Sequence, residues 1–176
     1  MASDFLDALA TDQVLSLGQL ERHFGMTEAQ AQHLGVRVFV VSAKKTKGSR
    51  QQTEYHFVVR KGKQPPGDGA TLRHITGAAE MRYHLGAAHD AWVSDAGKRW
   101  ARNKPDATWT TPDGVVAIEY DAGAYDPKRI LEKLNSFKSG YAGQIWGTPS
   151  KHRVGHIKDM AKNIVPDLRI FYAPWF

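Results

Sequence analysis

The run Lys104-Pro105-Asp106-Ala107-Thr108-Trp109-Thr110, then Thr111-Pro112-Asp113-Gly114, then Val115-Val116-Ala117-Ile118-Glu119-Tyr120-Asp121 constrains this chain most. Two β-rich stretches flank a Pro-Asp-Gly turn, a strong hairpin signal. A four-residue loop over 111–114 pairs Thr110 with Val115 and sets Asp106 opposite Glu119. A loop of only Asp113 and Gly114 sets Asp106 opposite Asp121 instead. In both registers Asp106, Glu119 and Asp121 share one face, because cross-strand partners and residues two apart project the same way. Like charges directly opposite repel. A divalent cation is the simplest compensation.

The other segments arrange themselves around this hairpin. At 176 residues the chain has room for one sizeable domain or two small ones. Ser3 can cap a first helix carrying Phe5, Leu6 and Leu9. Ser16 precedes a second with Leu17, Leu20 and Phe24, stopped by Gly25. Thr27 caps a third from Glu28 to Leu34, ended by Gly35. A β-branched strand over 36–41 and another over 53–60 follow, the latter with Tyr55, Phe57 and Val59 on one face. The Pro- and Gly-dense stretch 63–70 reads as a linker. Beyond it come a helix over 74–85, an ambiguous segment over 92–100, and the acidic hairpin. Asp126 and Pro127 then open a helix with an apolar stripe of Ile130, Leu131, Leu134 and Phe137. A strand over 144–146, a helix over 154–164 and a strand over 168–172 close the chain. The order predicts an α/β sandwich around a mixed sheet.

Charge gives a second constraint. The formal charge is +6 and the pI about 9.5, which favours a polyanionic partner. Lys44, Lys45, Lys47, Arg50, Arg60, Lys61 and Lys63 fall within twenty residues that contain one acid, Glu54. The basic loop between the two early strands therefore reads as a wing, and DNA is the expected partner. The order of these early segments resembles a winged helix-turn-helix, which implies a third helix in the major groove and a wing on phosphates. That helix offers Gln30, Gln32 and His33 but no arginine, so phosphate contacts from Lys44, Lys45, Lys47 and Arg50 should dominate affinity. There are no cysteines, which excludes disulfides and thiolate metal sites and fits a cytoplasmic protein. No apolar run is long enough to span a membrane. A homodimer is left open.

Three short helices and a basic hairpin, with a helix-turn-helix at their centre, resemble a winged helix-turn-helix domain over 1–62, ahead of a second domain over 71–176. Helix, acidic hairpin and helix in that second part resemble the PD-(D/E)xK nuclease fold, on Pro105-Asp106 and Ile118-Glu119-Tyr120-Asp121. A winged helix followed by Lys104-Pro105-Asp106-Ala107 and Glu119-Tyr120-Asp121-Ala122-Gly123, with Leu72-Arg73-His74 upstream, is similar to the replication-relaxation family of plasmid- and phage-associated proteins. The resemblance implies that Asp106 and Glu119 ligate Mg²⁺ or Mn²⁺, with Glu80 as an additional acid. It also implies a lysine two residues after Glu119, where this chain has Asp121. The missing cation would then come from the next helix, through Lys128 or Lys133. Implied functions are metal-dependent DNA cleavage in plasmid or phage replication or DNA repair. The alternatives are a non-catalytic DNA-binding replication or maintenance factor and a winged-helix transcription regulator.

Overall fold

The computed structural model describes residues 2–44, 52–64, 67–95, 103–123 and 125–176. The chain begins with α1 (Ala2–Asp12), β1 (Leu15–Ser16), α2 (Leu17–Phe24), α3 (Glu28–His33), β2 (Val36–Lys44) and β3 (Gln52–Arg60). β1, β3 and β2 form an antiparallel three-stranded sheet in that spatial order. The helix boundaries follow from their caps. Ser16 and Gln19 form a capping box on α2, and Thr27 and Gln30 form another on α3. Gly25 ends α2 in the left-handed region, at φ 59°. The cap expected at Ser3 is not one: Ser3 lies inside α1 and its hydroxyl turns to Asp7. Phe5, Leu9, Leu20, Phe24, Ala31 and Val58 fill the space between these helices and the sheet.

α4 (Gly69–Leu85) leads into the larger sheet, made of β4 (Trp92–Ser94), β5 (Ala107–Thr111), β6 (Gly114–Tyr120), β7 (Gly143–Thr148) and β8 (Arg169–Tyr172). Their spatial order is β4-β5-β6-β7-β8. The first three are antiparallel and the last three parallel, linked by α5 (Pro127–Gly140) and α6 (Lys151–Ala161). The α/β class and the mixed sheet are those expected. α4 starts five residues before His74 because the Asp68 carboxylate caps the amide of Thr71. The ambiguous stretch after residue 91 supplies one strand, β4, and residues 96–102 lie outside the described ones.

Ile118, Tyr120 and Ile145 face α4, whereas Ala117 and Trp146 face α5 and α6, so helices cover both sides of the larger sheet. α4 lies unusually close to it. A Cβ added to Gly77 would fall 2.1 Å from the Tyr120 ring, and one on Gly147 would fall 2.2 Å from the Met81 sulfur. Tyr55, Phe57 and Val59 of β3 join Leu72, Ile75 and Trp175 in one apolar cluster, so the two sheets share core across α4.

Candidate functional site

The hairpin register determines where the carboxylates go. Thr110 pairs with Val115 and Thr111 with Gly114, leaving Pro112 and Asp113 as the turn. This is the first of the two anticipated registers, and it sets Asp106, just before β5, across from Glu119. Asp106 receives the Tyr120 amide at 2.8 Å and His74 Nδ1 at 3.1 Å. His74 stands near the start of α4, close enough to the hairpin because Gly77 lets that helix settle on Tyr120. One ligand atom each from His74, Asp106 and Glu119 lie within 4.8 Å of one another.

Glu119 is fully buried, and its carboxylate is gripped from two sides. The Lys133 ammonium lies 2.7 Å away, and the Tyr125 hydroxyl donates to Oε1 at 2.6 Å. Lys133 also donates to the Lys104 carbonyl at 2.9 Å. The Tyr125 ring stacks near His74, with centroids 5.5 Å apart, and faces the Lys133 ammonium at 5.4 Å. The His74 and Asp106 side chains keep 19% and 17% of their surface exposed, so the cluster opens to solvent on their side.

The titration behaviour follows from this crowding. Burial pushes Glu119 up, the neighbouring Asp106 charge adds to it, and the carboxyl reaches about 7 despite Lys133 and Tyr125. Burial also works against the charge on Asp106, but His74, Lys133 and the Tyr120 amide prevail and its pKa is lowered. Burial disfavours a charged His74, yet Asp106 outweighs it and the imidazole pKa is raised. Tyr125 is held neutral, first by burial and then by Glu119. Two acids therefore share one ammonium and one imidazole in a largely buried setting.

Several residues fall elsewhere than anticipated. Asp121 shares the face of Glu119 but is committed to structure. It accepts the amides of Gly123 (2.8 Å) and Tyr125 (3.4 Å), and Arg153 of α6 binds it through Nε at 2.8 Å and through a second, closer nitrogen. Arg153 also donates to the Tyr125 carbonyl at 3.0 Å. The loop carrying Tyr125 is thus fixed from behind by Asp121 and Arg153. Lys128 is exposed, and of the two lysines it is Lys133 whose ammonium reaches the cluster. Glu80 belongs to a different neighbourhood: its carboxylate accepts Gln19, Arg22 and His23 at 3.0–3.2 Å, in the contact between α2 and α4. Its place on α4 was anticipated, but the residue of that helix that stands beside Asp106 and Glu119 is His74.

On α3, Gln30, Gln32 and His33 are exposed as expected. The two glutamines are partly engaged. Gln30 Oε1 accepts the Thr27 amide at 2.8 Å in the capping box, and Gln32 Nε2 donates to Glu28 at 2.9 Å. Lys45, Lys47 and Arg50 lie outside the described residues, as does the side chain of Lys44.

His74, Tyr125 and Arg153 were missed as site residues. His74 was visible only as part of Leu72-Arg73-His74, and a histidine on a helix carries no mark of its distant partner. Lys133 had a readable signal: it sits at helical spacing with Ile130, Leu134 and Phe137, a lysine on an apolar stripe. Leu131, counted in that stripe, is exposed instead. Compared with protein-family models, with curated proteins and with solved structures, the chain matches none.

Proposed function

We propose that this protein binds DNA and hydrolyses its phosphodiester backbone with a divalent cation held by Asp106, Glu119 and His74. The observation that carries the reading is the convergence of those three ligand atoms beside a buried lysine, on the solvent-facing edge of a hairpin. Two carboxylates and one imidazole fit a small divalent ion. The oxygens suit Mg²⁺ or Mn²⁺, and the nitrogen inclines the set toward Mn²⁺. Such an ion, when bound, lowers the pKa of water and offsets charge on a phosphate. The chain's own residues prepare that centre. Tyr120 and His74 hold Asp106 in one orientation, Tyr125 fixes Glu119, and Lys133 keeps a positive charge against the Glu119 carboxylate.

The architecture supports the same reading. Helix, strand, two helices and a two-stranded hairpin, with the sheet order β1-β3-β2, suit a winged helix-turn-helix, in which α3 meets the major groove. Helix, three antiparallel strands, helix and a parallel strand suit the PD-(D/E)xK fold. Lys133 stands in for the lysine that Asp121 replaces. With glutamines tied to their own helix, the expected affinity is dominated by phosphates and only modestly selective for sequence.

Plasmid nicking with Mg²⁺ or Mn²⁺ tests the activity. Asp106→Ala and Glu119→Ala should each reduce it by more than ~100-fold, beyond the loss typical of outer-shell substitutions. Equal nicking by all three proteins would sink the proposal. DNA binding without nicking in the wild type would leave a non-catalytic DNA-binding factor. Neutralising Lys44, Lys45, Lys47 and Arg50 together should weaken binding to every sequence and lower the salt slope by roughly one per lost phosphate contact. An unaltered slope would remove the wing from the interface.

A further inference from the structure

We infer that the N-terminus of α6 is a second phosphate subsite, taking a backbone phosphate of the DNA whose neighbour lies at the His74-Asp106-Glu119 centre. The inference rests on the DNA reading above and specifies one of its substrate contacts. It begins with Thr148, the last residue of β7. The Thr148 hydroxyl is fully buried and has no hydrogen-bond partner among the described residues. Buried polar groups are nearly always paired, so this one calls for a partner.

Where Thr148 stands follows from the sheet. Alternation along β7 puts Thr148 on the face of Trp146, which packs with Ile157 and Ala161 of α6. Thr148 pairs laterally with Tyr172 of β8, and the Lys151 ammonium lies 5.3 Å from the centre of the Tyr172 ring. On the other side the Asp121 amide bonds the Gly147 carbonyl, which brings the Asp121–Arg153 pair alongside. Thr148 thus stands on the α6 side of the sheet, between Asp121 with its partner Arg153 and Tyr172 with its neighbour Lys151.

The first turn of α6 is itself uncapped and open to an acceptor from outside the helix. No side chain caps α6 at Ser150, and the earliest backbone bond into the helix runs from Val154 to Ser150. The amides of Lys151, His152 and Arg153 therefore lack an intrahelical acceptor. The turn contains no acid, and its Lys-His-Arg run places positive charge at the positive end of the helix dipole. An anion at this point resolves both conflicts. The one nearby carboxylate, Asp121, is already matched by Arg153 and two amides. Asp121 follows Glu119 by two residues, about 7 Å along the strand. The subsite and the metal centre therefore share the carboxyl-end edge of the parallel strands, where ligands of such sheets collect.

Ser150→Asp supplies a carboxylate to the free amides and so separates a structural role from a binding one. It should raise Tm by a few degrees while weakening DNA binding about tenfold and lowering the salt slope by about one. Lys151→Gln should weaken DNA binding in the same sense without raising Tm. Unchanged DNA affinity and slope in both variants would overturn the subsite. A wild-type protein that binds no DNA would instead defeat the DNA reading. In that case titration with inorganic phosphate, followed by amide NMR, decides the subsite. Shifts at residues 151–153 that vanish in Ser150→Asp would sustain an anion site, and their absence in the wild type would overturn it.

Discussion

In the middle of α4, Glu80 lies against Gln19, Arg22 and His23, with His84 4.0 Å away on the same helix. At the end of β6, Glu119 lies against Lys133, Tyr125, Asp106 and, through Asp106, His74. Both are buried carboxylates with a cation and an imidazole close by. Burial works against the charge on each, but only Glu80 is compensated. Its hydrogen bonds from His23 and Gln19 outweigh burial and lower its pKa, whereas Glu119 has a second acid for a neighbour and is raised to about 7. The first arrangement is balanced as it stands and holds α2 against α4. The second sets two acids side by side in a buried place, and one of them keeps its proton up to about neutral pH.

The comparison can be tested at several strengths. The most damaging change should be Asp12→Ala, next to the balanced cluster. Arg82 binds Asp12 through three bonds of 2.7–3.1 Å and would be left buried without its partner. A loss of about 3–5 kcal/mol in denaturant unfolding is expected, and a loss under 1 kcal/mol would show that the contact between α1 and α4 is not held by this pair. Gly77→Ala comes next, at about 1–3 kcal/mol, because the new methyl must displace the Tyr120 ring. It should also carry His74 away from Asp106 and so weaken Mn²⁺ binding measured by calorimetry. Unchanged Mn²⁺ affinity would disconnect the close approach of α4 from the site.

Acid titration distinguishes the two carboxylates with a smaller effect. Glu119 has a raised folded pKa, so its ionisation opposes folding progressively as pH climbs from 4.5 to about 7. His74, also raised, contributes stability that is full below its unfolded value and fades as pH rises through its folded one. Tm should therefore fall as pH rises from 4.5 to about 7, and Glu119→Gln should flatten most of that slope. Glu80 behaves in the opposite sense: its lowered pKa contributes stability above 4.5 that disappears as pH falls through the folded value. Glu80→Gln should cost about 1 kcal/mol near pH 7, since Arg22 can turn to water, and less in acid. A mutant whose Tm falls with rising pH just as the wild type's does would place the titration elsewhere than Glu119.

The parts of this architecture that were legible from sequence are those written in local patterns. The caps at Ser16, Thr27 and Asp126, the stop at Gly25 and the Pro112-Asp113 turn are satisfied by neighbours a few residues away. The shared face of Asp106 and Glu119 was readable for the same reason, but the turn left two registers open, Asp106 opposite Glu119 or opposite Asp121, and the first is the one formed. The register of His74 against Asp106 depends on a glycine on α4 meeting a tyrosine on β6, a contact 43 positions apart along the chain that no local pattern announces. Likewise Glu80 had the residue type and the helix expected of a ligand. Only the packing of α2 on α4 turns its side chain into a clasp.

The apolar cluster that joins Tyr55, Phe57 and Val59 to Leu72, Ile75 and Trp175 also bears on how this protein can be taken apart. A fragment stopping near residue 62 would present those aromatic rings to water, and a fragment starting near residue 71 would present the complementary surface. Neither piece is a freely exchangeable module. Grafting a different reader onto the second half would require rebuilding the face of β3 along with it.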